Sequence, residues 1–154
     1  MPPSRRRLAA TAWGALLQVH AALVPAIDRR LRAATGLPLS WYDVLLELQA
    51  APEHRLTMSQ LGERVVLSRT RVSRVVDEMA GDALVRRDPH PQDARSAYAV
   101  LTDAGLDRFR AAAPVYLAAI EHEFAAALAD RDLRVVGEAL GRVRDRVMPT
   151  GRAG

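Results

Sequence analysis

The chain contains no cysteine, and although Lys and Arg together number 22, every one of them is arginine. Without cysteine there are no disulfides, no thiolate metal sites and no cysteine redox chemistry. The absence of lysine beside abundant alanine and arginine fits a GC-rich coding bias. It gains chemical meaning only where arginines cluster and can offer paired donors to phosphate or guanine. Aromatics are scarce at 5%, so Leu, Val and Ala must do most of the packing. No uninterrupted apolar run approaches the ~18 residues needed to span a bilayer. The basic, mildly apolar start MPPSRRRLAATAWGALL is similar to a signal peptide, but Gln18 and His20 interrupt it and the helical pattern continues to about Ala34. The expectation is a soluble cytoplasmic protein with no membrane partner. There is no glycine-rich phosphate loop, no cysteine nucleophile and no convincing Ser/His/Asp set, so an enzyme is not expected.

What is present points to a mainly α chain with a small β wing. The length of 154 residues suits one domain with or without appended helices, nearly half the residues are hydrophobic, and the net charge is +4. A first helix is expected from about Arg5 to Ala34, with Leu16, Leu17, Leu23, Val24, Ile27 and Leu31 near helical spacing and Pro25 kinking or dividing it. Gly36–Pro38 ends it. Ser40 is expected to cap a second helix, with Asp43 three positions on and Val44, Leu45 and Leu48 turned inward. Leu56 reads as a very short strand. Thr57 and Gln60 have capping-box spacing and open a third helix with Leu61, Val65 and Val66 on its inner side. Ser68 caps a fourth, from Arg69 to Gly81 or Asp82, and the short link between the two is that of a helix-turn-helix. Leu84–Asp88 and Ala97–Leu101 read as strands joined by the polar loop PHPQDARS. Thr102 caps a long fifth helix, bent by Pro114 and running to about Leu128, with Leu106, Phe109, Ala113, Leu117, Ile120, Phe124 and Leu128 on one stripe. Asp130 caps a sixth, carrying Leu133, Val136, Leu140, Val143 and Val147. The division is then residues 1–36 as an N-terminal dimerisation helix, 37–102 as a winged helix-turn-helix, 103–148 as C-terminal dimerisation helices and 149–154 as a loose tail.

The fourth helix is the candidate reading element. With Val72 inward, Val75, Val76 and Met79 share its side at 100° per residue. The opposite side carries Thr70, Arg74 and Asp77, flanked by Arg71, Ser73 and Glu78, with Arg69 nearer the core. From Arg64 to Val76 there are four arginines and no acid. Arginine can bond guanine O6 and N7 together, hydroxyls can reach bases or phosphates, and a helix N-terminus favours phosphate. The DNA-contact set is therefore Ser68, Arg69, Thr70, Arg71, Ser73 and Arg74, with Arg86 on the first strand and Asp93 and Arg95 at the wing tip. An arginine on a hairpin tip can enter a minor groove, and Asp93 can orient it by a salt bridge. Alternation lets only one of Arg86 and Arg87 face the DNA. Asp77 and Glu78 oppose phosphate, and Arg74 can pair with Asp77 instead. These acids keep open a winged-helix protein-interaction module without DNA affinity.

The strings LTMSQLGERVVLSRTRVSRVVDEM and LVRRDPHPQDARSAYAVLTDAG resemble the MarR family of bacterial transcriptional regulators, over roughly Trp13 to Arg144. The most specific part is D-x-R followed by L-T-x-x-G, here Asp93, Arg95, Leu101, Thr102 and Gly105. Many members carry D-R-R where this chain has Asp93-Ala94-Arg95, and a glycine directly before the strand where this chain has Gly81-Asp82-Ala83-Leu84. The resemblance implies a homodimer interlocked through its first and last helices, binding a pseudo-palindromic double-stranded operator as a repressor. It also implies release by a small aromatic or anionic effector between the dimerisation helices and the winged domain, for which Trp13, His20, Trp41 and Tyr42 are the candidates. The alternative is that Trp13 and Trp41 are core or dimer-interface residues and His20 a satisfied polar contact. No cofactor and no metal is expected: Glu121, His122 and Glu123 are consecutive on a helix and point apart, and His54 and His90 have no second ligand at metal spacing.

Overall fold

The computed structural model describes residues 4–65 and 67–148. Val66, expected on the inner side of the third helix, and the tail 149–154 lie outside the described residues.

Helix α1 (Arg5–Thr35) opens at Ser4, whose hydroxyl accepts from the Arg7 N–H, and closes at Gly36, where φ of 72° lets the chain turn back. Pro25 stays inside this single helix rather than dividing it; a proline removes only one N–H, and α1 packs along the later helix α5. Contrary to the expectation that no segment would do so, α1 is long and apolar enough to cross a membrane by length and composition. Polar residues interrupt its apolar run, yet too few of them are charged to offset the hydropathy of the stretch as a whole.

Helix α2 (Leu39–Ala50) starts earlier than the Ser40 cap implies. Its N-cap is Pro38, which offers no side chain, and the orphan Leu39 N–H donates to Asp28 Oδ1 of α1 at 2.8 Å. Asp28 also pairs with Arg32 at 2.8 Å, and Arg108 of α5 donates to the Thr35 carbonyl at 2.5 Å. The α1–α2 corner is thus capped from outside, a tertiary solution that local sequence does not reveal.

A short 3₁₀ turn (Pro52–His54) leads to β1 (Arg55–Thr57). Thr57 and Gln60 form the reciprocal capping box of α3 (Met58–Arg64). Ser68 caps α4 (Arg69–Gly81) by accepting from the Arg71 N–H. The hairpin is longer than expected: β2 (Val85–His90) and β3 (Asp93–Leu101) leave only Pro91–Gln92 as the turn, so most of PHPQDARS is strand. Pro89 is tolerated because the sheet order β1-β3-β2 puts β2 at an edge, with a bulge at Pro89/His90. Thr102 caps α5 (Asp103–Glu123), which stops five residues short of Leu128 and passes into a 3₁₀ turn (Ala125–Ala127). Pro114 lies inside α5. Helix α6 (Asp130–Val147) has Ala129 at its N-cap without a side-chain bond; Asp130 is its first helical residue.

The core lies where α2, α3, α4, α5 and the sheet converge. Leu45, Leu48, Leu61, Val72, Val76, Met79, Val85 and Ala99 are fully buried there. On α5 the expected stripe divides: Leu106 and Phe109 pack against the core, whereas Leu117 is exposed. Along α6 nothing is buried, and Val135, Leu140, Val143 and Val147 face solvent.

Candidate nucleic-acid interface

The fourth helix presents two faces, as its spacing requires. Val72, Val75, Val76 and Met79 are buried, while Arg69, Thr70, Arg71 and Arg74 are exposed. Among the described residues none of the guanidinium groups of Arg69, Arg71, Arg74 and Arg95 has an ion-pair or hydrogen-bond partner. Three of them lie on the exposed face of α4 and the fourth on the wing, and cations with unspent donors suit a polyanion. The Ser68 hydroxyl oxygen accepts the α4 cap bond, which leaves its O–H free to donate.

Parity along β2 decides between the two strand arginines. Val85 is buried against the core, so Arg87, two residues on, shares its face. Arg87 reaches α4: its Nε lies 2.8 Å from Asp77 Oδ1, and its Nη2 donates to the Ser73 hydroxyl at 2.9 Å and to the Ser73 carbonyl at 3.2 Å. Arg86 points the other way and pairs with Asp88 at 3.0 Å. Of the two, Arg87 is thus the one turned toward α4, and Arg86, the expected DNA contact, lies on the opposite face of the sheet. Asp77 pairs with Arg87, leaving Arg74 unpaired. Ser73, expected as a free contact, is half-buried and already engaged.

At the wing tip Asp93 Oδ1 accepts from the Arg95 backbone N–H at 3.0 Å. This Asx-type bond shapes the backbone under Arg95 and replaces the expected salt bridge, so the guanidinium keeps all its donors.

A cleft of about 590 Å³ lies beside the reading helix. Arg32, Pro38, Ser40 and Trp41 form one wall, and Thr70, Arg71, Arg74 and Glu78 form much of the other. Of the four ligand candidates only Trp41 lines it. Tyr42 is buried, with its ring 4.4 Å from that of Tyr116 and 5.4 Å from that of Phe109. Trp13 and His20 stand exposed on α1. The four do not form one site. Sequence spacing could not bring Arg32 opposite Arg74, because the α1–α2 corner that does so is set by Asp28 and Arg108.

Burial dominates the titration of the α2 groups. It pushes the Tyr42 phenol up to about 12, helped by Tyr116 and Asp43. It raises the Asp43 carboxyl from 3.8 to about 6, helped by Glu47. At the far end of α5, the hydrogen bond from Arg30 holds the Glu123 carboxyl below the usual range. Arg30 also bonds His122 at 2.9 Å, so His122 and Glu123 both face α1.

A MarR family model matches residues 35–96. Sco3205, a MarR family transcriptional regulator from Streptomyces coelicolor solved in complex with DNA, is 27% identical, with a TM-score of 0.82 over 97% of this chain and 94% of its own. AbsC, a MarR family transcriptional regulator from the same organism, is 28% identical with a TM-score of 0.79 over 97% and 99% of the two chains. BldR from Sulfolobus solfataricus shares the fold at a TM-score of 0.82 and 17% identity, over 94% and 99% of the chains. A search of curated protein sequences finds no match. The family model covers the helix-turn-helix and the start of the wing, and the structural likeness extends through the flanking helices: over nearly its whole length the chain is similar to MarR family transcriptional regulators.

Proposed function

We propose that this protein is a homodimeric, sequence-specific double-stranded DNA-binding repressor. The observation that carries this reading is the set of unpaired guanidinium groups of Arg69, Arg71 and Arg74 on the exposed face of α4, with Arg95 on the wing. The DNA complex of Sco3205, which is similar over nearly the whole chain, supports it. Residues 37–102 are then the DNA-reading unit. Ser68, Arg69, Thr70, Arg71 and Arg74 meet the major groove and adjacent phosphates, and Arg95 meets the minor groove. Arg87 clamps Asp77 and so lowers the acidic character of the reading face, which disfavours a protein-interaction module. The exposed apolar residues of α1 and α6 supply the contact with a second copy, so residues 5–35 and 103–147 are dimerisation helices. The cleft walled by Arg32, Trp41, Arg71 and Arg74 suits a small aromatic anion, whose binding competes with the DNA-bound arrangement. A protein of this function works in the cytoplasm.

The experiment is a gel shift on the DNA flanking the protein's own gene. Binding with steep salt dependence is expected. Arg74→Ala should relax base preference by about 1–3 kcal/mol at one position, and Arg95→Ala should weaken binding more uniformly. No retardation by pure protein at low salt overturns the function, and undiminished affinity of Arg95→Ala at physiological salt overturns the role of the wing.

A further inference from the structure

The face of the sheet turned away from α4 carries a row of side chains centred on Tyr98. Tyr98 of β3 stands opposite Thr57 on β1 and Asp88 on β2. The period of two therefore puts Arg55 and His90 diagonally on its face. The Arg55 guanidinium lies 4.9 Å from the Tyr98 ring centroid. The His90 ring stacks on Tyr98 at 5.0 Å with planes 20° apart. Both ends of the row are tied down. Glu53 holds Arg55 at 2.6 Å, and the left-handed backbone of Glu53 and His54, φ 53° and 52°, directs that carboxylate to the start of β1. At the other end His90 Nδ1 accepts from the Gln92 N–H at 3.2 Å, inside the wing turn.

The row thus runs Glu53–Arg55–Tyr98–His90–Gln92, from the body of the domain to the wing tip. The hairpin needs such a support. β1 pairs only with Tyr98–Val100, so beyond Tyr98 the wing is a two-stranded ribbon interrupted by a bulge, and an isolated ribbon is marginal in water. We propose that Tyr98 is a positioning residue for the wing: stacked between Arg55 and His90, it holds the tip turn so that Arg95 is presented to DNA. Tyr98 touches no DNA itself and acts through Arg95. The DNA arm of this inference rests on the proposed function; the arm on the free protein does not.

In the free full-length protein, amide hydrogen exchange at Gln92 and Arg95 should accelerate about tenfold in Tyr98→Ala and in His90→Ala. It should stay at the wild-type rate in Tyr98→Phe, which keeps the stacked ring, and the core amides of Val76 and Leu45 should not change in any variant. His90→Ala leaves the tyrosine in place and serves if Tyr98→Ala folds poorly. Tip exchange unaltered in His90→Ala overturns the strut. On DNA, Tyr98→Ala should weaken binding about fivefold in the wild-type background and not at all in the Arg95→Ala background, because residues acting through one contact are non-additive. Equal losses in both backgrounds overturn the action through Arg95. If the wild-type protein binds no DNA, the proposed function fails, and the exchange data alone decide whether Tyr98 holds the wing.

Discussion

A methyl group on Gly105 would sit 2.0 Å from the Leu84 carbonyl oxygen. That oxygen accepts from the Thr102 N–H at 3.2 Å and lies 2.9 Å from the Thr102 hydroxyl, which is 2.7 Å from the Ala83 carbonyl and accepts from the Gly105 N–H at 3.0 Å. The L-T-x-x-G string is therefore a joint: Thr102 caps α5 and ties it to β2, and Gly105 lets the backbones meet. Gly105→Ala should cost about 3 kcal/mol, seen as a lowered midpoint in urea; an unchanged midpoint would mean that the joint can open. Asp43 shows what burial does, with the Glu47 charge adding to it. Folding raises its pKa from 3.8 to about 6, so between those values the folded chain binds more protons than the unfolded one. This contribution to stability is full at low pH, falls as pH rises through that window and stays reduced above it. Asp43→Asn should gain little at pH 4.5 and at most about 3 kcal/mol at pH 7.5. Denaturation at both pH values checks the sign, and a gain larger at the lower pH would refute it.

At the scale of elements, the end of α4 explains the displaced glycine. The Leu84 N–H bonds the Met79 carbonyl at 3.0 Å and the Ala83 N–H bonds the Ala80 carbonyl at 3.1 Å. This is a Schellman ending, whose left-handed residue is Ala83, φ 58°. Gly81 is an ordinary last helical residue. Ala83→Gly should stabilise the protein by about 0.5–1 kcal/mol by relieving the left-handed alanine; a drop in melting temperature would contradict the cap. Three of the caps legible in sequence, Thr57–Gln60, Ser68 and Thr102, are present as bonds because each joins residues within one turn. Ser40 and Asp130 do not act as expected. The start of α2 is capped by Asp28, eleven residues upstream, and α6 begins one residue before its own acid could serve.

In the whole molecule, hydrophobic residues are divided between a closed core and exposed positions on the flanking helices. Trp13 and Leu17 of α1, Leu117 of α5, and Val135, Val143 and Val147 of α6 are at least half exposed, an arrangement that favours burial against a second copy. Val143→Asp should give a monomer in analytical ultracentrifugation and weaken operator binding about a hundredfold, since two linked half-sites bind far better than one. A dimer retained by this variant would place the interface elsewhere.

The sequence by itself determined the helix-turn-helix, the buried side of α4 and its arginine-bearing outer side, because 100° per residue and short-range caps are properties of one segment. The resemblance to MarR family regulators was also legible there, in residues clustered in the reading helix and wing. Only the tertiary structure decided that Arg87 rather than Arg86 reaches α4, since the strand's parity is set by Val85 entering a core built from other elements. The same holds for Asp93, which bonds the Arg95 backbone rather than its guanidinium because the strand continues to the tip. Trp41 meets Arg74 across a cleft while Tyr42, next in the chain, is buried against Phe109 and Tyr116, because adjacent helix positions point about 100° apart and only the packing of α1, α4 and α5 around α2 says what lies in each direction.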